Sequence, residues 1–121
     1  FTEFKSIGRD IEADDPQLAV AGGYDHNFCL EEGYKKACEL FCDESGILME
    51  VFTDMPGVQF YSGNFLSGIS GKGGRIYGKR FGLCLETQHY PDSVNKPHFP
   101  SPVLKAGALF RSRTVYKFGA R

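Results

Sequence analysis

The chain has 121 residues and a formal net charge of −1, which gives room for one domain with a core and not comfortably for two. The near-neutral balance offers no electrostatic footing for nucleic acid or an anionic membrane surface. No apolar run approaches the roughly 20 residues of a membrane-spanning helix. Aromatic content is high, with eleven Phe, six Tyr and no Trp. That favours strands, because aromatic rings fit a half-buried pleated surface.

The opening Phe1-Thr2-Glu3-Phe4-Lys5 has neither an initiator Met nor the basic-then-apolar character of a secretory signal. A piece of a longer chain in a cytoplasmic setting is the expectation. Residues 1–23 read as an irregular lead-in, acidic through Asp10, Glu12, Asp14 and Asp15 up to Pro16. One short helical or extended piece falls on Gln17 to Val20, and Ala21-Gly22-Gly23 breaks it. From residue 24 to 121 strand signals dominate. His26-Asn27-Phe28-Cys29-Leu30 is the first run. Ala37 to Cys42 and Ile47 to Thr53 flank the turn cluster Asp43-Glu44-Ser45-Gly46 and predict a β-hairpin. Met55-Pro56-Gly57 predicts a turn in which Gly supplies a positive φ. Val58 to Tyr61 and Leu83 to Thr87 follow as strands on either side of a glycine-rich loop, Ser67 to Gly78. The Pro-rich stretch from Pro91 to Pro102 excludes a central strand or helix. Arg113 to Phe118 alternates strictly and predicts a closing strand. Many short strands joined by turns argue an all-β sandwich.

Four cysteines, Cys29, Cys38, Cys42 and Cys84, allow two disulfides by arithmetic. The chain is not Cys-dense and lacks a signal, so buried or partly buried free thiols in strands are expected instead. Gly71-Lys72-Gly73 does not make a phosphate loop. No Ser or Thr follows Lys72, and no helical pattern follows to receive a phosphate. His26, His89 and His98 share no ligand spacing, so no metal site is expected.

Strand parity singles out three polar side chains. Val58 and Phe60 share one face of their strand, with Gln59 and Tyr61 on the other. Leu83 and Leu85 lie opposite Cys84 and Glu86. A lone carboxylate on such a strand either faces solvent or lines a polar pocket where it acts as a base; spacing leaves both open. Asp25, where a strand begins, reads on spacing alone as a turn or cap residue.

Five motifs in order then form a pattern: Tyr24-Asp25-His26-Asn27-Phe28, Pro56 through Leu66, Gly82-Leu83-Cys84-Leu85-Glu86-Thr87-Gln88, Tyr90 through Asn95, and Phe99 through Leu104. Together they resemble the C-terminal part of aldose 1-epimerases. The resemblance implies a galactose-mutarotase-like β-supersandwich that interconverts the α and β anomers of free hexoses such as galactose and glucose, with no cofactor or metal. It implies that Glu86 is the base that takes the C1 hydroxyl proton, and that Asp25 and Gln59 bind the sugar. In the family a histidine from the upstream part of the enzyme protonates the ring oxygen. None of His26, His89 or His98 sits in a matching motif. The expectations are therefore a piece that carries the base without the acid, is inactive alone, needs the missing N-terminal part, and self-associates through strand edges. The alternatives are a non-catalytic carbohydrate-binding β-sandwich, and a purely structural piece in which all three polar residues face bulk water.

Overall fold

The computed structural model describes all 121 residues, Phe1–Arg121. Eight strands, one short α-helix and three single-turn 3₁₀ segments make it β-rich, so the all-β class holds. In chain order they are α1 (Pro16–Ala21), β1 (Asp25–Cys29), β2 (Lys35–Cys42), β3 (Ile47–Thr53), β4 (Gly57–Tyr61), β5 (Ile69–Ser70), β6 (Ile76–Tyr77), β7 (Cys84–Gln88) and β8 (Thr114–Ala120). The strands form sheets ordered β1-β4-β7, β2-β3-β8 and β5-β6.

Local chemistry explains most boundaries. Asp15 caps α1 by accepting the Gln17 N–H at 2.8 Å, Pro16 sits where a helix tolerates it, and Gly22 ends it in the left-handed conformation. The expected hairpin is present: β2 and β3 pair antiparallel from Cys42↔Ile47 to Lys35↔Thr53. The closing strand extends to Ala120 and pairs with β3 along its length. The glycine-rich loop holds the small antiparallel pair β5-β6, with Lys72–Gly74 turning between its strands. The turn expectation at Gly57 needs correcting. Gly57 starts β4 and is not among the residues with positive φ. Its missing side chain serves a different end: a Cβ there would meet the Asn27 carboxamide at 2.5 Å.

The chain divides into two compact units. The first comprises Phe1–His26 and Gln59–Leu85. Ile11, Tyr24 and Phe60 are its buried apolar side chains. Tyr24 stacks on Phe60 with centroids 5.2 Å apart, and Phe1 meets both edge-on. Burial pushes the Tyr24 phenol above its ordinary pKa. Arg80 bonds Glu12 at 2.8 Å and so ties the acidic segment to the rest of this unit.

The second unit comprises Asn27–Val58 and Glu86–Arg121. Val51 and Thr53 are fully buried at the centre of its three-stranded sheet. Register sorts the sheet's faces. Leu40, Met49 and Phe118 align on one side, while Glu39, Glu50 and Lys117 align on the other. A bulge at Ala37 shifts the register between Lys36 and Cys38. It turns Lys36 onto the face of Glu39, three residues away, which unbroken alternation would forbid. Lys36 thereby reaches Glu39 at 2.9 Å and Glu50 at 3.8 Å, and Lys117 reaches Glu50 at 2.7 Å. Those cations hold the Glu50 carboxyl below its ordinary pKa, chiefly through the Lys117 hydrogen bond.

The four cysteines are free thiols, all in strands. Three of them, Cys29, Cys42 and Cys84, are exposed, which corrects the expectation of buried thiols. Each lies where strand alternation or a strand end points it outward, and only Cys38 is half-buried beside Val51.

Candidate functional site

Asp25 and Gln59, 34 residues apart, meet in the first unit. The Gln59 Nε2 amide donates to Asp25 Oδ1 at 2.8 Å. Gln59 reaches this position because β4 alternates: Val58 and Phe60 are buried, while Gln59 and Tyr61 are half-buried on the other face. Asp25 opens β1, and the His26 Nδ1 accepts the Asp25 backbone N–H at 3.1 Å. That bond fixes the imidazole against the main chain and gives Asp25 a defined start to its strand.

A buried polar cluster that sequence reasoning missed clamps these strand ends together. Ser62 Oγ accepts the Tyr24 N–H at 3.0 Å and lies 2.6 Å from Asn64 Oδ1. Asn64 Nδ2 donates to the Tyr24 carbonyl at 2.9 Å, and the Ser62 N–H donates to the same carbonyl at 2.9 Å. Ser62 and Asn64 are both buried. Each polar group is satisfied, so the cluster specifies one arrangement of residues 24 and 62. Tyr24 immediately precedes Asp25, and Ser62 lies three residues beyond Gln59, so the clamp also sets the Asp25–Gln59 pair. The only sequence signal is Ser62-Gly63-Asn64 closing a strand, a pattern shared with ordinary turns.

Glu86 lies on β7, in the second unit. The parity expectation holds: Leu83 and Leu85 are half-buried, while Cys84 and Glu86 are exposed. The carboxylate makes no ion pair. The residues after it are anchored. Thr87 Oγ1 lies 2.7 Å from Thr114 Oγ1, which lies 3.1 Å from Thr53 Oγ1, and Gln88 Nε2 donates to Asn27 Oδ1 at 3.1 Å. The strand is thus fixed in place while its carboxylate stands in solvent. The semi-buried setting that a base profits from is not supplied by these 121 residues.

Of the histidines, His89 leans on Phe110 and His98 stacks edge-on against Phe99. His26 is occupied by the Asp25 backbone. No three His, Cys, Asp or Glu side chains cluster in a way that would hold a metal ion.

Comparison with known proteins gives these placements a frame. The family model described as aldose 1-epimerase matches residues 1–117. The chain belongs to the aldose 1-epimerase family. Galactose mutarotase of Mus musculus is 51% identical over 102 residues, covering 79% of this chain and 29% of the mouse protein. Aldose 1-epimerase of Escherichia coli K12 is 39% identical over 123 residues, covering 98% of this chain and 35% of the bacterial protein. The crystal structure of a GalM/aldose epimerase homologue from C. elegans superposes with a TM-score of 0.74 at 26% identity, over 80% of this chain and 30% of the worm protein. The chain therefore spans about a third or less of the length of these relatives. No helix is long and apolar enough to cross a membrane.

Proposed function

We propose that these residues form the sugar-gripping and base-bearing part of an aldose 1-epimerase, an isomerase that interconverts the α and β anomers of free hexoses such as galactose and glucose. Residues 24–121 are, in this reading, the C-terminal part of the catalytic β-sandwich, with 1–23 leading into it, and the compartment is the cytoplasm. Glu86 takes the proton from the C1 hydroxyl, the bond from C1 to the ring oxygen breaks, and the open aldehyde rotates before the ring recloses. Asp25 and Gln59 hold sugar hydroxyls, for which a carboxylate acceptor and a carboxamide are suited partners. No cofactor or metal enters.

The observation that supports this most is the 2.8 Å bond from Gln59 to Asp25. It brings together two of the three residues that the motifs mark, across 34 positions of sequence. Family membership over residues 1–117 supports the reaction class.

Ring opening needs a proton delivered to the ring oxygen as one is taken from C1. No histidine here matches the family's acid, and losing one acid–base partner costs about 10²–10⁴-fold. Glu86 is also exposed, so nothing in these residues shields the reacting pair from water. The 121-residue chain should therefore interconvert fresh α-glucose at least about 100-fold slower than a full-length relative, followed by polarimetry. A comparable rate would contradict the assignment of the acid to sequence outside these residues.

A second reading, a carbohydrate-binding β-sandwich without turnover, is favoured by one feature: the Asp25–Gln59 pair stands complete within one unit. Calorimetric titration with galactose supports it if affinity matches that of a full-length relative. Self-association belongs to the same proposal. β8 is an edge strand with Val115, Tyr116 and Phe118 exposed, and such edges template pairing with another copy. Sedimentation should show a dimer or larger species; a clean monomer contradicts it.

A further inference from the structure

We infer that Tyr61 and Phe65 form an aromatic shelf that receives the apolar face of the hexose ring, an inference that rests on the sugar-site reading of Asp25 and Gln59. All four residues belong to the first unit. Tyr61 is the next residue after Gln59 on the same face of β4, so their backbones lie roughly 7 Å apart along the strand. Phe60, between them, points the other way into the Tyr24 and Phe1 rings. The core therefore uses Phe60 and leaves Tyr61 on the polar side.

Tyr61 is not left to rotate. Its phenolic oxygen accepts the Phe65 backbone N–H at 2.9 Å. The Phe65 ring stacks on the Tyr61 ring, with centroids 6.0 Å apart and planes 21° from parallel. The turn that folds Phe65 back depends on Gly63. This residue has φ of +68°, and a Cβ there would collide with the Gly82 carbonyl oxygen. Leu66 closes the turn by donating its N–H to the Gly63 carbonyl at 3.3 Å. The outer ring, Phe65, is nonetheless 67% exposed. The chain thus fixes the stack and leaves one large aromatic surface in water, a cost that a ligand's apolar face would relieve.

A pyranose has two kinds of surface. Its hydroxyls ask for acceptors and donors in the ring plane, and its C–H groups present an apolar face. Asp25 and Gln59 suit the first, and the negative face of a fixed aromatic ring suits the second. Sites for small polar ligands combine a few placed polar groups with an apolar floor. The strip from Asp25 through Gln59 and Tyr61 to Phe65 has both.

Saturation-transfer NMR of the 121-residue chain with galactose tests this. The wild-type chain should saturate the carbon-bound ring protons of the sugar. Phe65→Ala should weaken binding about five- to tenfold and remove most of that saturation, while Phe65→Tyr should behave as wild type. Phe65 is exposed, so its truncation spares the core. Unchanged binding in Phe65→Ala with loss in Gln59→Ala overturns the shelf and leaves the sugar-site reading standing. Loss in Phe65→Ala with unchanged binding in Gln59→Ala supports the shelf and overturns the role of Gln59. No saturation in the wild-type chain overturns both.

Discussion

The two units hold their candidate residues in opposite ways. In the first, Asp25 and Gln59 bond each other, and a buried cluster of Ser62, Asn64 and the Tyr24 backbone sets their strand ends. In the second, Glu86 rides on a strand anchored through Thr87 and Gln88, and its own carboxylate is exposed and unpaired. The Asp25–Gln59 pair keeps its geometry through its immediate neighbours. The Glu86 carboxylate has no such partners, and strand parity alone turns it to solvent. The contrast teaches that the geometry of the Asp25–Gln59 pair is set by contacts within its own unit, whereas Glu86 is placed by its strand alone.

The contrast is sharpest in what stabilises each unit. The second unit rests on Val51, fully buried in the middle strand. Val51→Ala should lower stability by about 2–3 kcal/mol in urea denaturation, whereas Phe118→Ala, at an exposed position of the same sheet, should change it by less than about 0.5 kcal/mol. Equal effects would mean that the sheet has no core of its own. The first unit rests on its polar clamp, so Ser62→Ala, which removes the hydroxyl from the Tyr24 N–H and from Asn64 Oδ1, should cost about 1–3 kcal/mol. It should also weaken galactose binding, and unaltered binding would separate the clamp from the Asp25–Gln59 pair.

Thiol chemistry gives a finer comparison inside the second unit. The Ser45 hydroxyl, followed by the Ser45 and Glu44 backbone N–H groups, holds the Cys42 thiol below its usual pKa, while burial pushes Cys38 up. At neutral pH Cys42 should alkylate at least about tenfold faster than Cys38, as mass spectrometry of partially labelled protein reads out, because the thiolate is the nucleophile. Similar rates would contradict the turn geometry at 42–45.

The smallest effect concerns Glu50. Its folded pKa lies below the ordinary 4.5, so its ion pairs contribute stability at pH above 4.5 that is lost as pH falls through the lowered folded value. Glu50→Gln should therefore be less stable than wild type at neutral pH, with the difference shrinking in acid and in high salt. A difference that persists in acid would point to packing rather than charge.

How much of this was legible follows from the range of the forces involved. The β2–β3 hairpin and β8 could be read because turn chemistry at Asp43–Gly46 and period-two alternation act over neighbouring residues. The exposed side of β7 could be read from Leu83, Leu85 and Glu86 for the same reason. The bulge at Ala37 could not, since it changes a register that only the partner strand defines. Nor could the role of Gly57, whose open side is filled by Asn27 from a different strand. Within the candidate site, parity put Gln59 on the right face. Its bond to Asp25 joins residues 34 apart and emerges only from the fold. For Asp25, spacing alone favours a turn role, whereas the motif resemblance implies a sugar-binding one.

The side-chain amide of Gln59 tests the central claim most directly. In a heteronuclear NMR titration of the 121-residue chain with galactose, its Nε2 resonances should shift saturably as hydroxyls join or displace the bond to Asp25. Resonances that stay fixed while galactose rises well beyond millimolar concentration would contradict the account, because the pair would then be an internal tie between strands and not a hold on sugar.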